Sequence, residues 1–164
     1  MYSNELIVKI LNYLDNNLYK QISINELANR FSYNKDYIMR LFKKEIGCTI
    51  IDYINTKKIF NSLSAYKNNT SILRISLEYG YSSLEYYSEI FKKIMKVNPS
   101  TYRKFIKNDI NIDINDIYII QDRLVSIEYF IHKCNSYKNN IDTNEIRKVL
   151  SIFKWKNTFW CFSL

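Results

Sequence analysis

The sequence predicts an all-α protein in which one pair of helices occurs twice. Apolar residues recur at three- and four-residue spacing along most of the chain, which is the periodicity of amphipathic helices. Glycine (2) and proline (1) are scarce among the 164 residues, and this scarcity disfavours turn-rich β architectures. The segment 22–47 also has a counterpart about 49 residues further along, which indicates a tandem repeat.

The first predicted helix covers about residues 4–17, with Ser3 as its candidate N-cap. Six apolar residues set its helical period: Leu6, Ile7, Ile10, Leu11, Leu14 and Leu18. An apolar stripe of this kind normally faces a core. We therefore expect this helix to pack on the helix pair that follows it.

That helix pair is typical of a helix-turn-helix. Ser23 and Glu26 have the spacing of a capping box, which opens the first helix of the pair. A tight turn at 31–33 follows, Asn34 is an N-cap for the second helix, and Gly47 ends it. The apolar residues expected to be buried are Leu27, Ala28, Phe31, Tyr37, Ile38, Leu41, Phe42 and Ile46. The other face of the second helix carries long, mostly cationic side chains: Lys35, Asp36, Met39, Arg40, Lys43 and Lys44.

A long connecting helix is predicted over about residues 49–66, between the two copies. Thr49 and Asp52 have the spacing of a cap at its start. Its expected buried points, which would touch both copies, are Ile51, Ile54, Ile59, Leu63 and Tyr66. About 17 helical residues span roughly 26 Å.

The second copy covers about residues 67–107. Its first helix is predicted at 72–79, and Gly80 stands in the turn where the first copy has Ser32. Ser82 and Glu85 are predicted to form a second capping box. The helix that follows, over about 83–95, exposes a predicted stripe of Ser83, Leu84, Glu85, Ser88, Glu89 and Lys92, with Lys93 beside it. A last short helix begins at Pro99, and Tyr102 and Phe105 would pack it against this copy.

This order of motifs resembles the DNA-binding region of the AraC/XylS (arabinose-regulator) family of bacterial transcription factors. The residues that carry the resemblance are Leu27, Ala28, Arg40–Lys44, Gly47, Tyr53, Ile54, Tyr79–Tyr81, Phe91–Lys93, Asn98–Ser100, Tyr102 and Arg103. The resemblance covers about residues 5–107. It implies two helix-turn-helix units that bind double-stranded DNA, and activation through contact with RNA polymerase. Most members carry a sensing domain before this region, whereas here the matching region begins near the first residue of the sequence. An inducer site is therefore expected to be absent or to lie in the tail.

The resemblance also assigns roles on the second helix of the first copy. The positions that match Asp36, Met39 and Arg40 face base edges in the family. A guanidinium such as that of Arg40 can bind guanine O6 and N7 together, although a surface salt bridge with Asp36 is the alternative. Lys35, Lys43 and Lys44 are expected to hold phosphates, which position a protein without specifying sequence. Lys57 and Lys58 of the connecting helix are either phosphate contacts or an ordinary solvated face.

The second copy departs from the family pattern. Glu89 stands where members often have arginine, and Glu85 lies one turn before it. Two carboxylates in a phosphate-lined groove are repelled unless each meets a donor such as cytosine N4. We therefore expect this copy to bind weakly, or mainly through Lys92, Lys93 and backbone amides at helix starts.

Successive major-groove faces lie about 34 Å apart on one side of the duplex. A connecting helix of roughly 26 Å, together with the offset of the two copies, can therefore place the second helix of each copy on the same face of the DNA.

The tail, residues 108–164, is predicted to be a mostly helical C-terminal extension of unknown role. A loop is expected at 109–115 and a second tail helix at about 144–153, before an aromatic terminus at 155–164. The first tail helix carries a coiled-coil-like seam of Ile117, Ile120, Leu124, Ile127 and Ile131. This seam either packs on the DNA-binding region, which we favour, or meets another subunit. The aromatic terminus is buried, meets a partner, or marks a truncated regulator.

Charge and composition limit the function. Residues 1–107 hold 17 of the 24 Lys and Arg residues but 9 of the 16 Asp and Glu residues, so the net charge of +8 lies entirely there, as a phosphate-binding surface requires. One histidine and no glycine-rich phosphate loop argue against an enzyme. His132 and Cys134 lack a second ligand pair, so neither a metal nor another cofactor is expected. The main alternative to DNA binding is a protein-interaction module that has lost DNA reading.

Three further expectations concern where and how the protein acts. The three cysteines are far apart and odd in number, which favours a reducing compartment. The N-terminus lacks the pattern of a signal peptide, and no apolar run is long enough to cross a membrane. We therefore expect a cytoplasmic protein. Because one chain supplies both second helices, we expect DNA binding as a monomer.

Overall fold

The computed structural model describes the backbone of residues 2–139 and the side chains of residues 5–139. Throughout that range every regular element is a helix, which confirms the predicted fold class. The elements are α1 (Tyr2–Asn16), α2 (Ile24–Phe31), α3 (Lys35–Ile46), α4 (Ile50–Ser62), a 3-10 helix (Leu63–Lys67), α5 (Ile72–Glu78), α6 (Leu84–Met95), α7 (Pro99–Ile106) and α8 (Ile114–Lys138). The helix predicted at 144–153 and the aromatic terminus at 155–164 lie outside the described residues, as does Cys161.

The chain forms two compact units, and each contains one helix-turn-helix. Among the described residues, unit one comprises 2–17, 22–53 and 130–139, and it holds the pair α2–α3. Unit two comprises 18–21 and 54–129, and it holds the pair α5–α6. The helices α4 and α8 each contribute residues to both units. The predicted boundary of a DNA-binding domain at residue 107 stays a prediction.

The core of unit one is built on α1. Its predicted apolar stripe is confirmed, because Ile7, Ile10, Leu11 and Leu14 are fully buried. They share this core with Leu27 of α2 and with Ile38, Leu41, Phe42 and Ile46 of α3. The Tyr53 ring packs edge-on against Phe42, with 5.7 Å between ring centroids, and burial of these apolar faces is what holds helices of this length in place.

The last turns of α8 belong to unit one through polar contacts. The Asp15 carboxylate accepts hydrogen bonds from the Tyr53 hydroxyl at 2.7 Å and from Lys138 Nζ at 2.5 Å. Burial raises the pKa of Tyr53, and the Asp15 charge adds to the shift, so the phenol remains a donor. The Tyr137 hydroxyl donates to Glu45 at 3.2 Å, and burial, with Glu45 adding to it, raises the pKa of Tyr137 to about 12.

The core of unit two is an aromatic cluster with internal hydrogen bonds. The Tyr66 and Tyr102 rings meet edge-on at 5.0 Å between centroids, and Phe91 packs beside both. The Tyr87 hydroxyl lies 2.8 Å from that of Tyr66 and 3.0 Å from Ser62 Oγ, so the buried polar atoms satisfy one another. Burial raises the pKa of each of these tyrosines, which keeps them neutral donors.

The tail helix packs on the second helix-turn-helix within unit two, as we predicted. Arg123 Nε donates to the Ile94 carbonyl at 2.7 Å, and burial lowers the pKa of Arg123 to about 10, which still leaves it charged at neutral pH. The predicted seam is partly correct. Ile120 and Ile127 are buried, whereas Ile117, Leu124 and Ile131 are half-buried.

The connecting helix differs from its prediction in length and in its buried face. It ends as an α-helix at Ser62 and tightens into the 3-10 helix, which has about three residues per turn. Leu63 and Tyr66 of this 3-10 helix are both buried, as predicted. Ile51, predicted as buried, is 59% exposed because Ile50 and Tyr53 occupy the inward face of the first turn.

Candidate nucleic-acid interface

The turns of the two helix-turn-helix motifs begin with the same backbone geometry. Ser32 and Gly80 both have left-handed backbone conformations, with φ of 58° and 75°. The next amide then donates back into the first helix in each motif: Tyr33 N to Ala28 O at 3.1 Å, and Tyr81 N to Ser76 O at 3.0 Å. The predicted correspondence of Gly80 with Ser32 is therefore confirmed.

The turn of the second motif is one residue longer than that of the first. Asn34 caps α3 two residues after the left-handed residue, and its Oδ1 accepts from the Asp36 amide at 2.8 Å. Ser83 caps α6 three residues after the left-handed residue, and its Oγ accepts from the Tyr86 amide at 3.1 Å. The capping box predicted at Ser82 and Glu85 is wrong by one residue, because Ser83 has the extended backbone that an N-cap needs.

Two other predicted caps agree with the structure, whereas the N-cap predicted at Ser3 is wrong because α1 already begins at Tyr2. Ser23 Oγ accepts from the Glu26 amide at 3.0 Å, while the Glu26 carboxylate accepts from the Tyr13 hydroxyl. Thr49 accepts from the Asp52 amide at 3.1 Å and donates to its carboxylate at 2.6 Å. These bonds supply acceptors for amides that a helix start leaves unpaired, and so fix where α2 and α4 begin.

The recognition face of α3 is as exposed as the sequence predicted. Its six members all face solvent: Lys35, Asp36, Met39, Arg40, Lys43 and Lys44. Opposite them, Ile38 and Phe42 are fully buried. Tyr37, which we placed on the buried face, is 39% exposed, and its ring stacks on Tyr33 at 5.4 Å between centroids. The prediction for Tyr37 is wrong because Tyr33, in the turn, offers its ring a partner outside the core.

Arg40 does not form the surface salt bridge that was the alternative to base reading. Its Nε donates to the Asp36 backbone carbonyl at 3.3 Å, and not to the carboxylate. This weak bond leaves the rest of the guanidinium without a partner within residues 5–139. Lys35, Lys43 and Lys44 likewise have no ion pair in that part of the chain. In the described part of the chain, this face is therefore a set of long cations without ion-pair partners around one exposed methionine.

The corresponding face of α6 has a different charge. Glu85, Glu89 and Lys92 are exposed, whereas Ser83, Leu84, Ser88 and Lys93 are half-buried. Glu85 and Glu89 are one turn apart, and across residues 5–139 neither carboxylate has a hydrogen-bond or ion-pair partner. Like charges at this spacing repel each other. The Ser83 hydroxyl already accepts the capping bond, so it is less free to read a base.

Lys57 and Lys58 of α4 have separate environments. Lys57 is half-buried, but Lys58 is only 8% exposed. Lys58 Nζ donates to the Gly80 carbonyl at 3.1 Å and lies 5.3 Å from the centre of the Tyr81 ring. Burial lowers the pKa of Lys58. Lys58 is therefore a structural contact to the turn of the second motif, and its interpretation as a phosphate contact is wrong.

The described part of the chain lacks two other kinds of feature. Between residues 2 and 139, no helix is both long and apolar enough to span a membrane. The same residues contain no group of three His, Cys, Asp or Glu side chains arranged to hold a metal ion. Sequence reasoning missed the Tyr33–Tyr37 pair, although its spacing of four residues across an N-cap was a usable signal.

Comparison with known proteins identifies the family. A family model described as a helix-turn-helix domain matches residues 27–104. The chain is 32% identical over 108 residues to the uncharacterized HTH-type transcriptional regulator YbfP of Bacillus subtilis, covering 65% of this chain but 37% of YbfP. It is 31% identical over 105 residues to the probable transcription factor PqrA of Proteus vulgaris, covering 62% of this chain and 86% of PqrA.

A solved structure has the same fold. It belongs to a protein of unknown function from Listeria innocua, with 28% sequence identity and a TM-score of 0.55. The match covers 59% of this chain and 93% of that one. Together with the tandem turn geometry and the exposed face of α3, these matches show that the chain belongs to the AraC/XylS family of helix-turn-helix, DNA-binding transcription regulators.

Proposed function

We propose that this protein recognises specific sequences in double-stranded DNA as a monomer, with α3 and α6 in successive major grooves. It then activates transcription by contact with RNA polymerase, in the bacterial cytoplasm where the chromosome lies. The observation that carries the proposal is the exposed face of α3, whose cations form no ion pair within residues 5–139. Free cations on a recognition helix fit a ligand that supplies closely spaced phosphates.

Within that face, Arg40 is the proposed base reader. Its guanidinium is held at Nε alone, and this leaves two other nitrogens to donate to guanine O6 and N7. Asp36 and Met39 lie on the same stripe and are proposed to meet neighbouring base edges. Lys35, Lys43 and Lys44, with Lys57 of α4, are proposed to hold phosphates and so set the register of the protein on the duplex.

The proposed role of α6 follows from its carboxylates. The Glu85 and Glu89 carboxylates accept hydrogen bonds and do not donate them, so they are compatible with exposed amino groups such as cytosine N4. Ser83, Leu84 and Ser88 complete the stripe. Lys92 and Lys93 are proposed to hold phosphates. We infer that α3 supplies most of the affinity.

A second candidate function is a protein-interaction module. The unpartnered Glu85 and Glu89 favour it, since two exposed carboxylates suit a cationic partner surface better than a phosphate-lined groove. The free cations of α3 oppose it. Both proposals concern the same surfaces, and they differ in the ligand that those surfaces attract.

Salt dependence of DNA binding separates the two candidates. The proposed phosphate contacts number about five or six, so log affinity against log salt should have a slope near −5, at about −0.9 per contact. The measurement is fluorescence anisotropy of a labelled duplex of about 30 base pairs, long enough for two major-groove sites. Absence of binding at low salt, or binding that salt does not weaken, would refute DNA binding and leave the protein-interaction module.

A further inference from the structure

The stacked pair Tyr33–Tyr37 has no role in the fold that explains its exposure. We propose that this pair binds the DNA backbone beside the groove that α3 enters, with each hydroxyl donating to a phosphate oxygen. This inference rests on the proposed function and adds two uncharged contacts to it.

The stacked pair presents two phenol hydroxyls to solvent. The rings are stacked with an interplanar angle of 20°, and the side chains are 44% and 39% exposed. Neither hydroxyl has a hydrogen-bond partner among residues 5–139. Several other tyrosine hydroxyls in the same helical bundles are bonded, such as Tyr53 to Asp15 and Tyr66 to Tyr87. Stacking restricts both rings before any ligand arrives, so ordering them on binding costs little entropy.

The place of the pair on the motif points to phosphates. Tyr33 precedes the N-cap of α3, and Tyr37 is the third residue of the helix. At helical spacing, Tyr37 shares an edge of the exposed stripe with Arg40 and Lys44, three and seven residues later. The N-terminal residues of a recognition helix contact base edges, so an edge beside them faces the bordering sugar–phosphate strand. Tyrosine is one of the side chains that make such phosphate contacts.

The second motif lacks such a pair. Tyr81 occupies the turn position of Tyr33, but it is buried and packs on Tyr87 at 5.0 Å between centroids. Tyr86 takes the helix position of Tyr37 and is exposed, with its ring tilted by 58° from that of Tyr81. The proposed contact therefore belongs to the first motif alone.

Uncharged contacts have a signature that distinguishes them from the lysines. A phenol that donates to a phosphate releases no counterion, so removing it should weaken binding without changing the salt slope. Removing a lysine contact should change that slope by about 0.9. A phosphate contact also carries no sequence information, so the loss should be the same on any duplex. These properties allow a test that does not need the natural operator.

The test uses the double variant Tyr33→Phe, Tyr37→Phe, which keeps both rings and removes both hydroxyls. The matched control is Tyr118→Phe, Tyr129→Phe, because these tyrosines are exposed on α8 and are 63% and 39% accessible. Binding to a labelled random-sequence duplex of about 30 base pairs is measured by anisotropy over a range of salt concentrations. Circular dichroism checks that both variants melt as the wild type does.

We expect the Tyr33 and Tyr37 variant to bind about tenfold more weakly at every salt concentration, with the slope of the wild type. The control should bind as the wild type does. An affinity equal to that of the wild type would overturn the inference. A change of about 0.9 in the slope of log affinity against log salt, as expected for loss of a lysine contact, would also overturn it. If the wild type itself shows no salt-dependent binding, the proposed function has failed, and this outcome is distinct from a silent tyrosine variant.

Discussion

Replacing Gly80 by alanine should lower the free energy of unfolding more than the same replacement at Gly47 does. Gly80 has φ of +75°, a left-handed conformation that a residue with a Cβ adopts at a cost of about 1–2 kcal/mol. An added Cβ would also lie 2.8 Å from the Tyr19 carbonyl oxygen, which is closer than van der Waals contact allows. Tyr19 O is backbone, so this neighbour cannot simply rotate away.

The expected magnitude combines the backbone strain with the clash. Overpacking of this kind costs about 1–3 kcal/mol, so the sum for Gly80→Ala is about 2–5 kcal/mol. Movement of the turn would also disturb the bond from Lys58 Nζ to the Gly80 carbonyl, which is 3.1 Å long. Lys58 Nζ itself would lie 3.3 Å from the new Cβ, but a flexible side chain can yield.

Gly47→Ala is the matched control, because it shares the strain and lacks the clash. Gly47 has φ of +92°, and a Cβ there would meet no atom within 4 Å. It should therefore lose only about 1–2 kcal/mol. The measurement is urea unfolding followed by circular dichroism. Because the two units need not unfold together, each variant is compared with the wild type separately for each unfolding transition. Equal losses for the two glycines would refute the reasoning, since the turn would then tolerate a Cβ against Tyr19.

The remaining predictions concern the recognition helices and the corrected cap. Arg40→Ala should weaken binding to a duplex selected from a random pool by about 1–3 kcal/mol, and should relax the preference at one base pair in a repeated selection. Glu89→Ala should weaken binding to the selected duplex less than Arg40→Ala does, and it should strengthen binding to a random-sequence duplex. If Glu89→Ala instead weakened specific binding more than Arg40→Ala, α6 would be the leading recognition helix. Ser83→Ala should lower the free energy of unfolding by about 1 kcal/mol while Ser82→Ala is neutral, and a reversed order would restore Ser82 as the cap.

Helices that carry their own periodicity were predictable from the sequence. The stripe of α1 and the two faces of α3 follow from spacing alone, because an amphipathic helix can bury only one side. The exposed face of α3 was predicted by the same reasoning, since its residues are those left over from the apolar stripe. Tyr37 was misplaced because a tyrosine counts as apolar in a periodicity while its ring can pack equally well on a surface neighbour.

Features set by distant contacts were not predictable. Ser82 and Ser83 are adjacent and both precede an acceptable first turn, so local pattern cannot choose between them; the length of the turn after Gly80 does. Lys58 looked like its neighbour Lys57, and its burial depends on the Gly80 carbonyl, which lies 22 residues away in the sequence.

The two motifs use one backbone design for surfaces of unlike charge. The face of α3 presents Lys35, Arg40, Lys43 and Lys44 against the single acid Asp36, whereas α6 sets two acids against two lysines. Attraction to phosphates should therefore be concentrated in the first motif, which also carries the tyrosine pair. A carboxylate in the groove weakens binding wherever it faces a hydrogen-bond acceptor of a base instead of an amino group. Such weakening discriminates among DNA sites without adding affinity for any of them. On this argument α3 retains the protein on DNA, and α6 rejects sequences that offer Glu85 and Glu89 no donor.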